Sequence, residues 1–294
     1  PTGFTLSNSG QINESGKSYV AWGWKAGDSN VSNTDGSITS TVRANTTYGF
    51  SIVSYTCPAT TVTGDTIGHG LGVAPDFMIF KNRDTTTNWG VYHKDIGNTG
   101  GILLNDTGAT ITSVEWWNNT SPTSTEISLG RFSYVQNNSQ DYIAYCWAEK
   151  AGYSKFGSYT GTGSAGLSVT GLGFKPSLLI IKNTSTTTNW IMYDDTRDVA
   201  NPVTNPIYAN LSNAEETNTT LTRIDFDSDG FTIQNTSSWA ESNASGNTYI
   251  YAAFADTREA AFWLDQTSND NDWQPVNLDH NDTVADSPTD NFAT

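Results

Sequence analysis

Cysteine is almost missing from this chain: Cys57 and Cys146 are the only two among 294 residues. Two are too few for a disulfide framework or a zinc site, so burial and hydrogen bonding must hold the fold. Basic residues are scarce too, with 14 Lys and Arg against 30 Asp and Glu and a formal charge of −16. Neutralising phosphates requires clustered cations, so nucleic acid and anionic membrane surfaces are poor partners. No apolar run approaches the ~20 residues needed to span a bilayer, and membrane insertion is not expected. The opening PTGFTL has neither a charged n-region nor an apolar h-region. It reads as a processed chain or a piece of a longer one. Leu, Glu and Lys, the residues of helical proteins, are few. There is no GxSxG elbow and no plausible Cys–His pair for nucleophilic catalysis.

What the chain does contain is Thr, Ser, Asn, Gly and aromatics, the last making up 12%. This is an all-β composition. With only 15% charged residues, the surface must be carried largely by Asn, Thr and Ser.

The main signal is self-similarity. KNRDTTTNW (81–89) returns as KNTSTTTNW (182–190), each after an apolar run, FMIF or LLII. GLGVAP (70–75) answers GLGFKP (171–176), and the offset stays at 101 from Gly70 to Trp89. One full copy runs from GFSIVSYT (49–56) to DYIAYCWAEK (141–150), the other from SKFGSYT (154–160) to TYIYAAFADT (248–257). A partial copy, GFTL (3–6) with SYVAWGWKAG (18–27), matches the back end of the first full copy at an offset of 123. The expected organisation follows: 1–27, back end of a partial repeat; 28–48, a polar linker or edge strand; 49–150 and 151–260, the two full repeats; 261–294, an acidic extended segment. A chain that opens midway through a repeat implies a longer array, or a front half supplied by a neighbouring chain.

Each unit reads as about six short strands in roughly 100 residues, punctuated by Gly, Pro, Asn and Asp. The predicted fold is tandem antiparallel β-sandwich or jelly-roll-like repeats with extended linkers. In the last strand Ile143, Tyr145 and Trp147 share a bulky face, and Tyr142, Ala144 and Cys146 a mostly small one. The bulky face is expected in the core, with a close layer over the small one. FMIF and LLII should be buried on both faces. Lys81 and Lys182 should lift their charges to water, and Trp89 and Trp190 should re-enter the core.

Candidate chemistry is sparse. His69 and His93 are replaced by Thr170 and Asp194 in the second copy, and His280 lies in the acidic tail, so no histidine site is built into the repeat. Cys57 and Cys146 fall where other copies carry Gly or Ala, which favours buried free thiols, a disulfide being the alternative. Asp225, Asp227 and Asp229 in DFDSDG reproduce the front of a calcium loop, but position twelve is Thr236 instead of the closing Glu. Calcium is the one cofactor the sequence raises; otherwise none is expected. Trp116, Trp117, Asn118 and Asn119 form the best glycan-contact candidate. Adjacent residues of a strand point to opposite faces, which would leave one indole free to stack on a sugar. Glu115 is the acid to test for glycoside hydrolysis, although nothing pairs it with a second carboxylate.

YVAWGWKAG, GFSIVSYT, TIGHGLGVAPDFMIFKNRDTTTNWGVYH, YIAYCWAEKAGYSKFGSYTGTGS and TYIYAAFAD resemble a β-rich repeat of large virion proteins of tailed phages, particularly marine ones. The closing WQPVNLDHNDTVADSPTDNFAT looks like the segment joining such repeats to a lectin-like domain. Cys57-Pro58, where small residues would be more usual, is a local departure. The resemblance implies a non-enzymatic structural role in a tail fibre, spike or capsid-attached fibre on the particle surface. Implied partners are other copies of the chain, as an oligomer such as a trimer, other virion proteins, and a host surface glycan. A carbohydrate-binding module and a secreted glycosidase are the alternatives.

Overall fold

The computed structural model describes residues 4–7, 9–217, 223–235 and 239–256, and all their regular elements are strands. The first unit supplies β1 (Val31–Asn33), β2 (Ser40–Asn45), β3 (Phe50–Thr56), β4 (Thr66–Gly68), β5 (Phe77–Asn82), β6 (Gly90–His93), β7 (Gly100–Leu103), β8 (Ile111–Thr112), β9 (Glu126–Ser128) and β10 (Asp141–Trp147). The second supplies β11 (Ser154–Thr160), β12 (Leu167–Thr170), β13 (Leu178–Asn183), β14 (Trp190–Asp194), β15 (Ile207–Tyr208), β16 (Ile224–Asp227), β17 (Gly230–Ile233) and β18 (Thr248–Phe254).

Two antiparallel main sheets result, ordered β1-β2-β3-β10-β5-β6-β7-β8 and β11-β18-β13-β14-β15. Two small sheets, β4-β9 and β12-β17-β16, lie apart from them. The last strand of each unit is central. Tyr142 lies opposite Tyr55 and Asn82, and Tyr249 opposite Tyr159 and Asn183. Residues 28–48, the polar linker, contribute β1 and β2, and β2 extends the first sheet along β3.

Side-chain alternation gives each main sheet two buried faces. On one face of the first sheet, Tyr55, Phe80, Tyr142, Ala144 and Cys146 pack under Ile67, Ile127, Leu129, Trp116 and Trp117. The second unit repeats this with Ile181, Tyr249 and Ala253 under Phe226, Phe231 and Ile233. The opposite faces meet each other: Phe50, Phe77, Val91 and Trp147 pack on Phe156, Leu178, Met192 and Phe254. Phe77 and Phe156 stack across this seam with centroids 5.6 Å apart. The order is therefore cap, sheet, sheet, cap, and each large side chain so buried is worth about 1.5–3 kcal/mol.

The small face of the last strand, not the bulky one, forms the unit's own core. Ala144 and Cys146 leave room for the cap, whereas Tyr145 and Trp147 reach the neighbouring sheet. Residues 18–27 form no strand. A strand needs neighbours for its N–H and C=O groups, and no described residue supplies a backbone bond there. Trp22, Trp24 and Ala26 nevertheless pack on the seam. Trp24 lies 5.6 Å from Trp147 and 5.3 Å from Phe254, touching both units. The acidic segment 261–294, including His280, lies outside the described residues.

Candidate functional site

The twinned phrase is the most fully determined feature. Asn82 Oδ1 accepts from the N–H groups of Asp84 and Thr85, and Asn183 Oδ1 from those of Ser185 and Thr186, closing the same side-chain turn twice. The amide groups of Asn82 and Asn183 donate to Tyr142 and Tyr249 Oη. Asn105 and Asn210 then accept from the N–H groups of Trp89 and Trp190 at 2.8 and 2.9 Å.

The two copies differ in their surroundings. Lys81 is half-buried, donates to Thr87 O and sits 5.8 Å over the Trp89 ring. Lys182 is fully buried, contrary to the expectation that its charge reaches water. Its Nζ donates to Thr188 O at 2.7 Å and, across the seam, to Thr107 O at 3.0 Å. Burial lowers its pKa from 10.5 to about 8, with Asp106 and Glu241 opposing the shift. Trp190 is buried and donates its indole N–H to Leu103 O of the first unit. Thr188 N–H to Thr107 O and Thr110 N–H to Thr184 O complete the lock.

Trp116 and Trp117 do not offer a sugar platform: both are buried and donate their indole N–H groups to Ile111 O and Gly100 O. They lie in a turn, not a strand, so they need not point apart. Their rings stack 5.8 Å from centroid to centroid in the cap of the first unit. A Cβ on Gly101 would sit 2.5 Å from the Trp116 ring, which explains the glycine there. Asn118 and Asn119 adopt φ of 53° and 50°, left-handed values that Asn tolerates, and end the turn. Glu115, on the same turn, contributes its backbone: N–H to Ser113 Oγ and C=O from Phe132 N–H.

The three aspartates do not converge into a calcium loop. Asp225 accepts from Gln234 Nε2, Asp227 from Thr232 Oγ1, and Asp229 from the N–H groups of Gly171 and Gly173. They brace the β16–β17 hairpin against β12. Among the described residues no three His, Cys, Asp or Glu side chains gather as metal ligands.

Both described histidines are buried and neutral. His93 Nε2–H donates to Tyr251 O across the seam, and its Nδ1 accepts from Asp95 N–H. Burial lowers its pKa to about 4. His69 bonds Thr123 O and Leu71 N–H, and burial lowers its pKa as well. Cys57 and Cys146 are free, buried thiols, and burial raises the pKa of Cys57 to about 11.

One concavity of about 190 Å³ opens beside the seam. Trp22, Trp24, Tyr153, Phe254, Asp194 and Asp256 are among its lining residues. The Asp194 carboxylate is held by Arg197 Nε at 2.6 Å. Two half-buried indoles, Trp22 and Trp24, in one concavity suit stacking on a sugar ring. Sequence reading missed this cleft because its walls come from distant segments; the alternation of Trp22 and Trp24 was the only local signal.

These placements define an all-β, sandwich-like module whose conspicuous polar and aromatic residues are occupied in packing. The chain belongs to the family described as Domain of unknown function (DUF7483), whose model matches residues 1–258. No curated protein and no solved structure matches the chain.

Proposed function

We propose that the chain is a non-enzymatic structural module of a tailed-phage particle, a segment of a tail fibre, spike or capsid-attached fibre on the outer surface. The observation that carries this reading is the desolvated seam between the two units. Lys182, Trp190 and His93 all donate across it to backbone carbonyls, an arrangement that stiffens a chain of units. The likeness of the repeat wording to virion proteins supports the particle assignment, and the excess of acid suits a surface that stays soluble. Gold-labelled antibody raised against residues 49–256 should decorate fibres on particles purified from a lysate of the source. Bare particles, with all antigen in the soluble fraction, would contradict it.

A second reading, contact with a host glycan, draws on the cleft of Trp22, Trp24 and Tyr153. Thr196→Arg would fill its exposed rim without touching the seam. Binding on a glycan panel that this substitution abolishes supports the reading; a silent panel removes it.

A further inference from the structure

Residues 9–19 keep the local fold of a unit's back half. Tyr19 Oη donates to Gly10 O, as Tyr142 does to Ser133 O and Tyr249 to Ala240 O, each nine residues back. The turn before it recurs: the N–H groups of Ile12 and Asn13 reach Ser9 O, those of Val135 and Gln136 reach Phe132 O, and those of Ser242 and Asn243 reach Trp239 O.

The core-facing side chains of this segment, however, are uncovered. Phe4 is 74% exposed where its counterpart Ile127 is 1%, and Leu6 43% where Leu129 is 0%. Ile12 is 46% exposed where Val135 is 0%, and Tyr19 48% where Tyr142 is 0%. The opposite face, Trp22 and Trp24, already lies on the established seam. A half-unit is thus seated on the body with its interior side chains exposed and the backbone groups of residues 18–24 unpaired by any described residue along both edges, features that mark an interaction site.

We propose that residues 4–7 and 9–25 are the docking surface for the front half of a unit of this same class. By the register of the two full units, such a segment lays strands equivalent to β3 and β5 along the two edges of residues 18–24. Its cap covers Phe4, Leu6, Ile12 and Tyr19. A second copy of this chain is a poor occupant, because its β3 and β5 already flank β10 and its β11 and β13 already flank β18. The inference is independent of the virion reading, since it rests on exposure and register alone.

The test joins residues 49–125 directly ahead of Gly3 in the full chain and follows amide hydrogen exchange. Amides 19–24 should slow by roughly 100-fold or more, toward the protection of 141–147. A parallel fusion of residues 154–229 covers failure of the first front half. The proposal is overturned if 19–24 exchange unchanged in both fusions while β10 and β18 stay protected, or if both fusions unfold the body. It is also overturned if the unfused chain already protects 19–24 and sediments as a dimer, which would make a second copy the occupant.

Discussion

The indole N–H of Trp190 meets the carbonyl oxygen of Leu103 at 2.9 Å, joining the second unit to the first through a fully buried side chain. Its counterpart in the first unit, Trp89, is only half-buried. Trp190→Ala should cost about 3–5 kcal/mol in denaturant unfolding, the usual toll of emptying a buried aromatic site. Trp190→Phe keeps most of the ring but leaves the Leu103 carbonyl unpaired, and should cost about 1–3 kcal/mol. Trp89→Ala should cost clearly less than Trp190→Ala.

Lys182 gives the fold an alkaline signature. Its pKa is about 8 when folded and 10.5 when free. Between those values the unfolded chain keeps a proton that the folded chain has released, so the contribution of Lys182 to stability should rise with pH by about 1.4 kcal/mol per unit at most, against the opposite slope of the buried thiols. Lys182→Met should flatten that slope, read as the difference between the two unfolding curves from pH 7.5 to 10.5.

His93 acts at the other end of the scale. Its folded pKa near 4 lies below the free value of 6.5. As pH falls through that window the unfolded chain gains a proton the folded chain refuses, so stability is full above 6.5 and drains toward 4. His69, lowered in the same direction, adds to the loss. His93→Gln should lessen the acid slope measured from pH 7 to 4.

The fates of WWNN and DFDSDG predict opposite responses from those of binding sites. Trp117→Ala should destabilise the fold by about 3–5 kcal/mol and change no glycan affinity that survives folding. Asp229→Ala frees two N–H groups at an exposed loop and should cost about 1 kcal/mol. Adding calcium or chelator should leave the melting temperature of the native chain unmoved.

Much of the architecture was legible in the residues. Period-two patterns and Gly-Pro punctuation located the central strands, and FMIF and LLII have both faces covered as their lack of polar alternation implies. The role of the bulky face was not legible. A single strand shows which face is large, but not whether that face meets its own cap or a neighbouring sheet. Strand alternation does not apply to WWNN, which lies in a turn that ends in two left-handed asparagines. Lys182 misled because its acceptors, Thr107 O and Thr188 O, are backbone atoms and carry no side-chain signal. The cleft at Trp22 and Tyr153 depends on contacts between segments far apart in the chain.

Native-state hydrogen exchange under increasing denaturant tests the shared seam most directly. The strands β10 and β18 should open with one common free energy, and Trp190→Ala should lower both together. If β18 opens while β10 keeps its full protection, or if the substitution lowers one strand alone, the two units are independent and the seam does not join them.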